Sequence, residues 1–192
     1  MTQLARLKPV VHPWDRELAW LWWSPAMFAV HAAEDIPSLA QWMGRVGIFE
    51  PVSRAQLSVA LAVFLGLACL CAIAAQGESR WGVYSFIWMQ AVLLLHGLAH
   101  LIASLWFLNY TPGVVTGVLL MFGASWLFRR LRKSRPVSSQ MVVVIVVVAV
   151  LLYDPVMRFA FHLAESVIHN QPDRRHLPTR SLRQASAWQR VR

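Results

Sequence analysis

The sequence predicts an all-α, polytopic membrane helix bundle of about five transmembrane helices, and three observations carry that class. Of 192 residues, 57% are hydrophobic and only 14% are charged, whereas a soluble domain carries about a quarter charged residues. The apolar residues gather in runs close to the roughly 17–25 residues that a helix needs to cross a bilayer. Ten tryptophans fit the same setting, because indoles collect at the bilayer interface.

The runs follow in order. The first covers residues 18–33, opens on Trp20, Trp22 and Trp23, and is loosened at Pro25. The second, 57–75, carries no charge. The third, 81–107, is long enough to tilt. The fourth, 114–128, is short and ends on Arg129, Arg130, Arg132, Lys133 and Arg135. The fifth opens at Met141 with a valine-rich stretch. In water that β-branched run would read as a buried strand, but in lipid an isolated strand leaves its backbone unpaired, so a helix is required. Asp154-Pro155 has the form of a helix start, so the last span is expected to break there and resume over 155–169. One membrane-embedded domain, 1–170, is followed by a basic and mobile tail, 171–192.

Lys and Arg number 18 against 9 Asp and Glu, a net charge of +9. These cations stand beside apolar runs, as in a bacterial cytoplasmic (inner) membrane protein. No nucleic-acid-binding fold surrounds them, so nucleic acid is not an expected partner. A cytoplasmic N-terminus puts nine cations inside, on the leader, the 76–80 loop and the 129–135 block. The arginines of the tail then fall on the opposite side, against the rule. The long polar leader and the early acidic residues argue against a cleaved signal. Cys69 and Cys71 are two apart in an apolar run and do not share a helix face, so neither a disulfide nor a metal knuckle follows.

Ionisable groups at membrane depth are costly, so each is a candidate for function. His31, Glu34 and Asp35 close the first run and share one helical face. His96 and His100 lie one turn apart in the third, a spacing that suits two imidazoles on one metal. His162, Glu165 and His169 form a stripe on the last helix, with Arg158 one turn earlier. Spans one, three and five run parallel, and each cluster lies in the C-terminal part of its span. The three clusters are therefore expected in one pocket near one membrane face. Plainer readings exist for each: a lipid–water boundary at Glu34 and Asp35, an interhelical hydrogen-bonding device at the His pair, and the polar face of an interfacial helix at His162. Asp154 reads as a cap, and His12 and His176 as solvated loop residues.

His31-Ala-Ala-Glu34-Asp35, a later helical histidine and Tyr110-Thr111-Pro112-Gly113 resemble the HXXEE family of small membrane proteins of unassigned function. The resemblance covers roughly residues 18–128. It implies functional weight at His31 and Glu34, at His100 with His96 next in line, and at Tyr110, Pro112 and Gly113. Asp35 stands where the motif has its final Glu. The Pro-Gly pair also makes a tight turn between spans three and four, a structural corner in its own right.

The residue types point to a divalent metal, zinc, iron or manganese. His31, Glu34, His96, His100, His162 and Glu165 are the expected ligands. Asp35, Glu34 and Glu165 are the expected acid–base or orienting carboxylates, with Glu34 the ligand and Asp35 the orienter. The first functional reading is a metal-dependent hydrolase or oxidoreductase acting on a lipidic or membrane-delivered substrate. The second is a small proton-coupled permease using the same groups as a relay. The third is a membrane scaffold whose basic tail binds anionic lipid. Membrane lipids are the expected surroundings, and a homo-oligomer would give a five-span chain the room a carrier needs.

Overall fold

The computed structural model describes residues 16–47, 52–77, 79–135 and 137–169. The tail, the leader, His12 and His176 lie outside them. A short 3-10 helix, Arg16–Trp22, leads into five α-helices: α1 (Trp23–Val46), α2 (Arg54–Gln76), α3 (Arg80–Trp106), α4 (Val114–Ser134) and α5 (Ser139–His169). Among the described residues there is no strand.

Local chemistry explains the boundaries. α2 starts on a capping box, in which Ser53 Oγ accepts from the Gln56 N–H at 3.1 Å and Gln56 Oε1 accepts from the Ser53 N–H at 2.8 Å. α1 ends at Gly47 in the left-handed region, φ 69°, with its N–H returned to the Met43 carbonyl. α4 begins directly after Gly113, also left-handed, with φ 83°.

Three features differ from the sequence expectation. The first run was expected to end at residue 33, but α1 continues through Glu34, Asp35 and Pro37 to Val46. Its polar residues are therefore internal to a helix. The second half of α1 is also polar enough that, among the described residues, four helices, α2, α3, α4 and α5, are long and apolar enough to cross a membrane, against the five spans expected. α5 runs unbroken through Pro155. One proline removes a single backbone bond, whereas a full break in an apolar setting would strand several N–H and C=O groups at two new helix ends.

α3 is the central helix, packing on α2, α4 and α5, while α1 packs on α2 and α4. α3 and α4 cross closely at Gly97 and Gly117. A Cβ on Gly97 would run into the Gly117 carbonyl and the Met121 side chain. Small residues at a crossing let two backbones approach, and this one brings the start of α4 down onto His96 and His100. The core is continuous, from Leu21, Phe28 and Phe64 to Phe86, Leu93 and Leu127. The outer face of α5 (Val143, Val147, Leu151) is exposed, as suits a helix facing lipid.

Candidate metal centre

His31 and Asp35 lie at i and i+4 on α1, so both project from the same side of the helix. His96 and His100 stand in the same relation on α3. The two faces meet. His31 Nε2 lies 3.4 Å and His100 Nε2 3.5 Å from Asp35 Oδ2. The three imidazole centroids are 4.9 Å (His31–His96), 4.9 Å (His31–His100) and 5.0 Å (His96–His100) apart, with the rings close to perpendicular. One donor atom from each of the four residues falls within 4.8 Å of all the others. All four side chains are buried.

The outer nitrogens fix the inner ones. His100 Nδ1 donates to the Pro112 carbonyl at 2.7 Å, an acceptor that cannot donate. His31 Nδ1 lies 2.9 Å from Thr116 Oγ1, and that hydroxyl donates its own proton to Glu34 Oε2. His31 must therefore supply the N–H. His96 Nδ1 lies 3.0 Å from the Tyr153 hydroxyl on α5, which can accept in the same sense. With Nδ1 protonated, His31 and His100 carry their lone pairs on Nε2, and His96 does the same when the Tyr153 hydroxyl accepts.

Those inner atoms are short of partners. His31 Nε2, His96 Nε2 and both Asp35 oxygens are buried without a hydrogen bond among the described residues. A buried carboxylate facing three lone pairs is unfavourable unless something electropositive lies between them. Three imidazole nitrogens and a carboxylate are the donor set of zinc, iron or manganese, and outer hydrogen bonds on each histidine are the usual support of such ligands. The arrangement fits a divalent cation.

Glu34 does something different. Its Oε2 accepts from the Thr116 N–H at 3.0 Å as well as from the Thr116 hydroxyl, and its Oε1 accepts from the Tyr110 hydroxyl. Thr116 is in the first turn of α4, so Glu34 caps the N-terminus of a neighbouring helix, where its charge meets the positive end of the dipole. The hydrogen bond to this carboxylate pushes the Tyr110 phenol up to about 12. The two acids are thus placed apart: Asp35 lies with the histidines, and Glu34, expected as a ligand, instead bonds Tyr110 and Thr116, whose hydroxyl meets His31. The reason is angular. Asp35, one full turn from His31, shares its buried side, while Glu34 points towards α4.

The turn is part of the centre rather than a remote corner. Tyr110 holds Glu34, Pro112 holds His100, and Gly113 allows Asp35 its position. A Cβ on Gly113 would fall on Asp35 Oδ1 and lie 2.8 Å from His100 Cε1.

His162 and Glu165 stand outside the cluster. Their side chains are 79% and 50% exposed, and Glu165 faces His162 at 3.9 Å and His169 at 3.7 Å along α5 itself. Arg158 pairs with Asp154 at 2.8 Å, also within the helix. Asp154, Arg158, His162 and Glu165 instead line a cavity of about 700 Å³ whose wall also includes Asp35, His96 and His100. Thr116 and Tyr153 escaped the sequence reading. Thr116 had a weak signal, three residues past Gly113 where a helix N-terminus needs a partner; Tyr153 had none.

Fold and site together define a helical-bundle protein with helices of membrane-spanning length around a buried three-histidine, one-aspartate centre. The chain belongs to the HXXEE family, described as proteins of unknown function with an HXXEE motif, whose family model matches residues 22–128. That span contains the four clustered residues together with Glu34, Tyr110 and Thr116. No curated protein and no solved structure matches the chain.

Proposed function

We propose that this protein is a membrane-embedded, metal-dependent enzyme whose divalent ion is held by His31, His96, His100 and Asp35. The observation that carries the reading is the division of labour on each imidazole, with Nδ1 tied outward and Nε2 turned to a common point beside an unpartnered carboxylate. A bound zinc, iron or manganese ion would supply Lewis acidity or redox capacity at that point.

The chain's own residues supply the rest. Asp35 offers a second oxygen that can take up or release a proton beside the centre. The Glu34–Thr116–His31 chain holds one imidazole in its tautomer and orientation. Phe28 packs against Phe64, His31 and His96, with ring centroids 6.4, 6.1 and 6.1 Å away, and sets an apolar edge on the site. The cavity, lined largely by apolar side chains, supports a lipidic or membrane-delivered substrate. Hydrolysis and oxidation both remain within this class. The cations flanking the apolar runs support a bacterial cytoplasmic membrane as its location.

Metal analysis tests the reading. Protein purified in mild detergent, before and after incubation with zinc, iron(II) or manganese, is expected to hold a stoichiometric ion. His96→Ala and Asp35→Asn are expected to lose it while keeping their helical circular dichroism. Wild-type protein that takes up none of the three ions overturns the proposal and leaves the cluster as the proton relay of a carrier.

A further inference from the structure

The cavity beside the centre has two unlike walls. On the α1 and α2 side it is mostly apolar, with Phe28, Leu39, Leu57, Leu61 and Phe64, and its polar members there are Asp35 and Gln56. On the α5 side it carries Asp154, Arg158, His162 and Glu165, spaced along one stripe. From Tyr153, which touches His96, to Glu165 the helix rises about 18 Å. Phe28 meets both Phe64 and His96 at the inner end, with centroids 6.4 and 6.1 Å apart. Trp42, Gln56 and Glu165 line its other end. The cavity is thus a channel that starts at a polar rim and ends, apolar, beside the metal centre.

We propose that this channel binds a single-chain amphiphile, its tail along α1 and α2 towards Phe28 and Phe64 and its polar head against the α5 stripe. Three observations select that occupant. The volume of about 700 Å³ lies in the range of pockets that enclose one small ligand. The stripe presents both signs of charge in solvent-accessible pairs, Arg158 with Asp154 and Glu165 with His162, so a zwitterionic or polar head can exchange with them at little cost. Thr111, buried at 1% exposure and with no hydrogen bond to its hydroxyl among the described residues, lines the same cavity beside His100 and provides a hydrogen-bonding position part-way along. The inference deepens the proposed enzyme by naming its substrate class and depends on that proposal for the chemistry only.

The experiment is photo-crosslinking of the full chain in phosphatidylcholine nanodiscs. The probe is a lysophosphatidylcholine with a diazirine on the terminal carbon of its chain, and adducts are mapped by mass spectrometry. Label is expected on peptides containing Phe28, Phe64 and Val92, competed by unlabelled lysophosphatidylcholine but not by excess two-chain phosphatidylcholine. Ala99→Trp, which fills the channel from an exposed small position on its wall, is expected to cut this label roughly tenfold. Phe122→Trp on the outer face of α4 is expected to leave it unchanged. Label confined to Val143, Val147 and Leu151, or label at Gln56 and Met43 from a chain entering head first, overturns the proposal. The competition arm uses the unaltered protein, so a misfolded variant does not decide the outcome. Metal analysis of the same preparation separates the two proposals: labelling in the channel by protein that takes up none of the three ions rejects the enzyme and keeps the amphiphile site, and metal uptake without that labelling does the reverse.

Discussion

His31 and Asp35 stand one helical turn apart on α1 and bring Nε2 and Oδ2 to 3.4 Å of each other in a fully buried position. Neither side chain reaches water, and neither inner atom has a hydrogen bond among the described residues. The pair gains its meaning from α3, whose His100 approaches the same oxygen at 3.5 Å. Asp35→Asn is therefore expected to abolish stoichiometric metal binding, since it removes the only negative charge in the cluster. Equal metal content in Asp35→Asn and wild type would remove Asp35 from the ligand set.

Glu34→Gln is expected to act in two ways. Losing the charged cap of α4 and its hydrogen bonds costs about 1–2 kcal/mol of stability. Loosening Thr116, and with it His31, weakens metal affinity by roughly 10–100-fold, the usual effect of an outer-shell partner. Thermal melts read the first and metal titration the second. A variant as metal-free as Asp35→Asn would restore Glu34 to the ligand set.

Tyr110 gives the same contact a pH signature. Its phenol is raised to about 12 because the neutral form donates to the Glu34 carboxylate. The contribution to stability is therefore complete below the ordinary tyrosine range near 10 and is lost as pH rises towards 12. Tyr110→Phe is expected to be less stable than wild type below pH about 10, with the two stability curves converging as pH rises towards 12. Parallel curves throughout would detach Tyr110 from Glu34.

The glycines make an asymmetric prediction. Gly97→Ala drives a methyl into the Gly117 carbonyl, whereas the Cβ of Gly117→Ala meets its nearest neighbour, Gly97 Cα, at an ordinary 3.4 Å. The first is expected to destabilise the bundle by about 1–3 kcal/mol and the second to be nearly silent. Gly113→Ala combines a left-handed backbone with a collision on Asp35 and is expected to lose both stability and metal. Equal melting temperatures for Gly97→Ala and Gly117→Ala would contradict the α3–α4 crossing.

Tyr153→Phe keeps the ring and removes the hydroxyl that faces His96 Nδ1. Metal affinity is expected to fall roughly 10–100-fold with little change in melting temperature. An unchanged affinity would show that α5 does not orient His96.

The sequence by itself determined the class of the protein and the membership of its centre in outline. Apolar run length and the scarcity of charge required helices, and helical spacing alone aligned His31 with Asp35 and His96 with His100, because these relations are local. Only the tertiary structure decided what the same residues do. Glu34 and Asp35 are adjacent in sequence, yet one caps α4 and the other joins the histidines, a choice made by where α4 lies around α1. The close approach of Gly97 and Gly117 sets that position, and it depends on two helices crossing rather than on either one. His162 and Glu165 have the spacing of ligands but stand on the channel rim, since a stripe on a helix does not say which neighbour it faces. Tyr153 carried no motif at all. Its role follows from α5 packing against α3, a contact between residues 57 positions apart in the chain that no local pattern could encode.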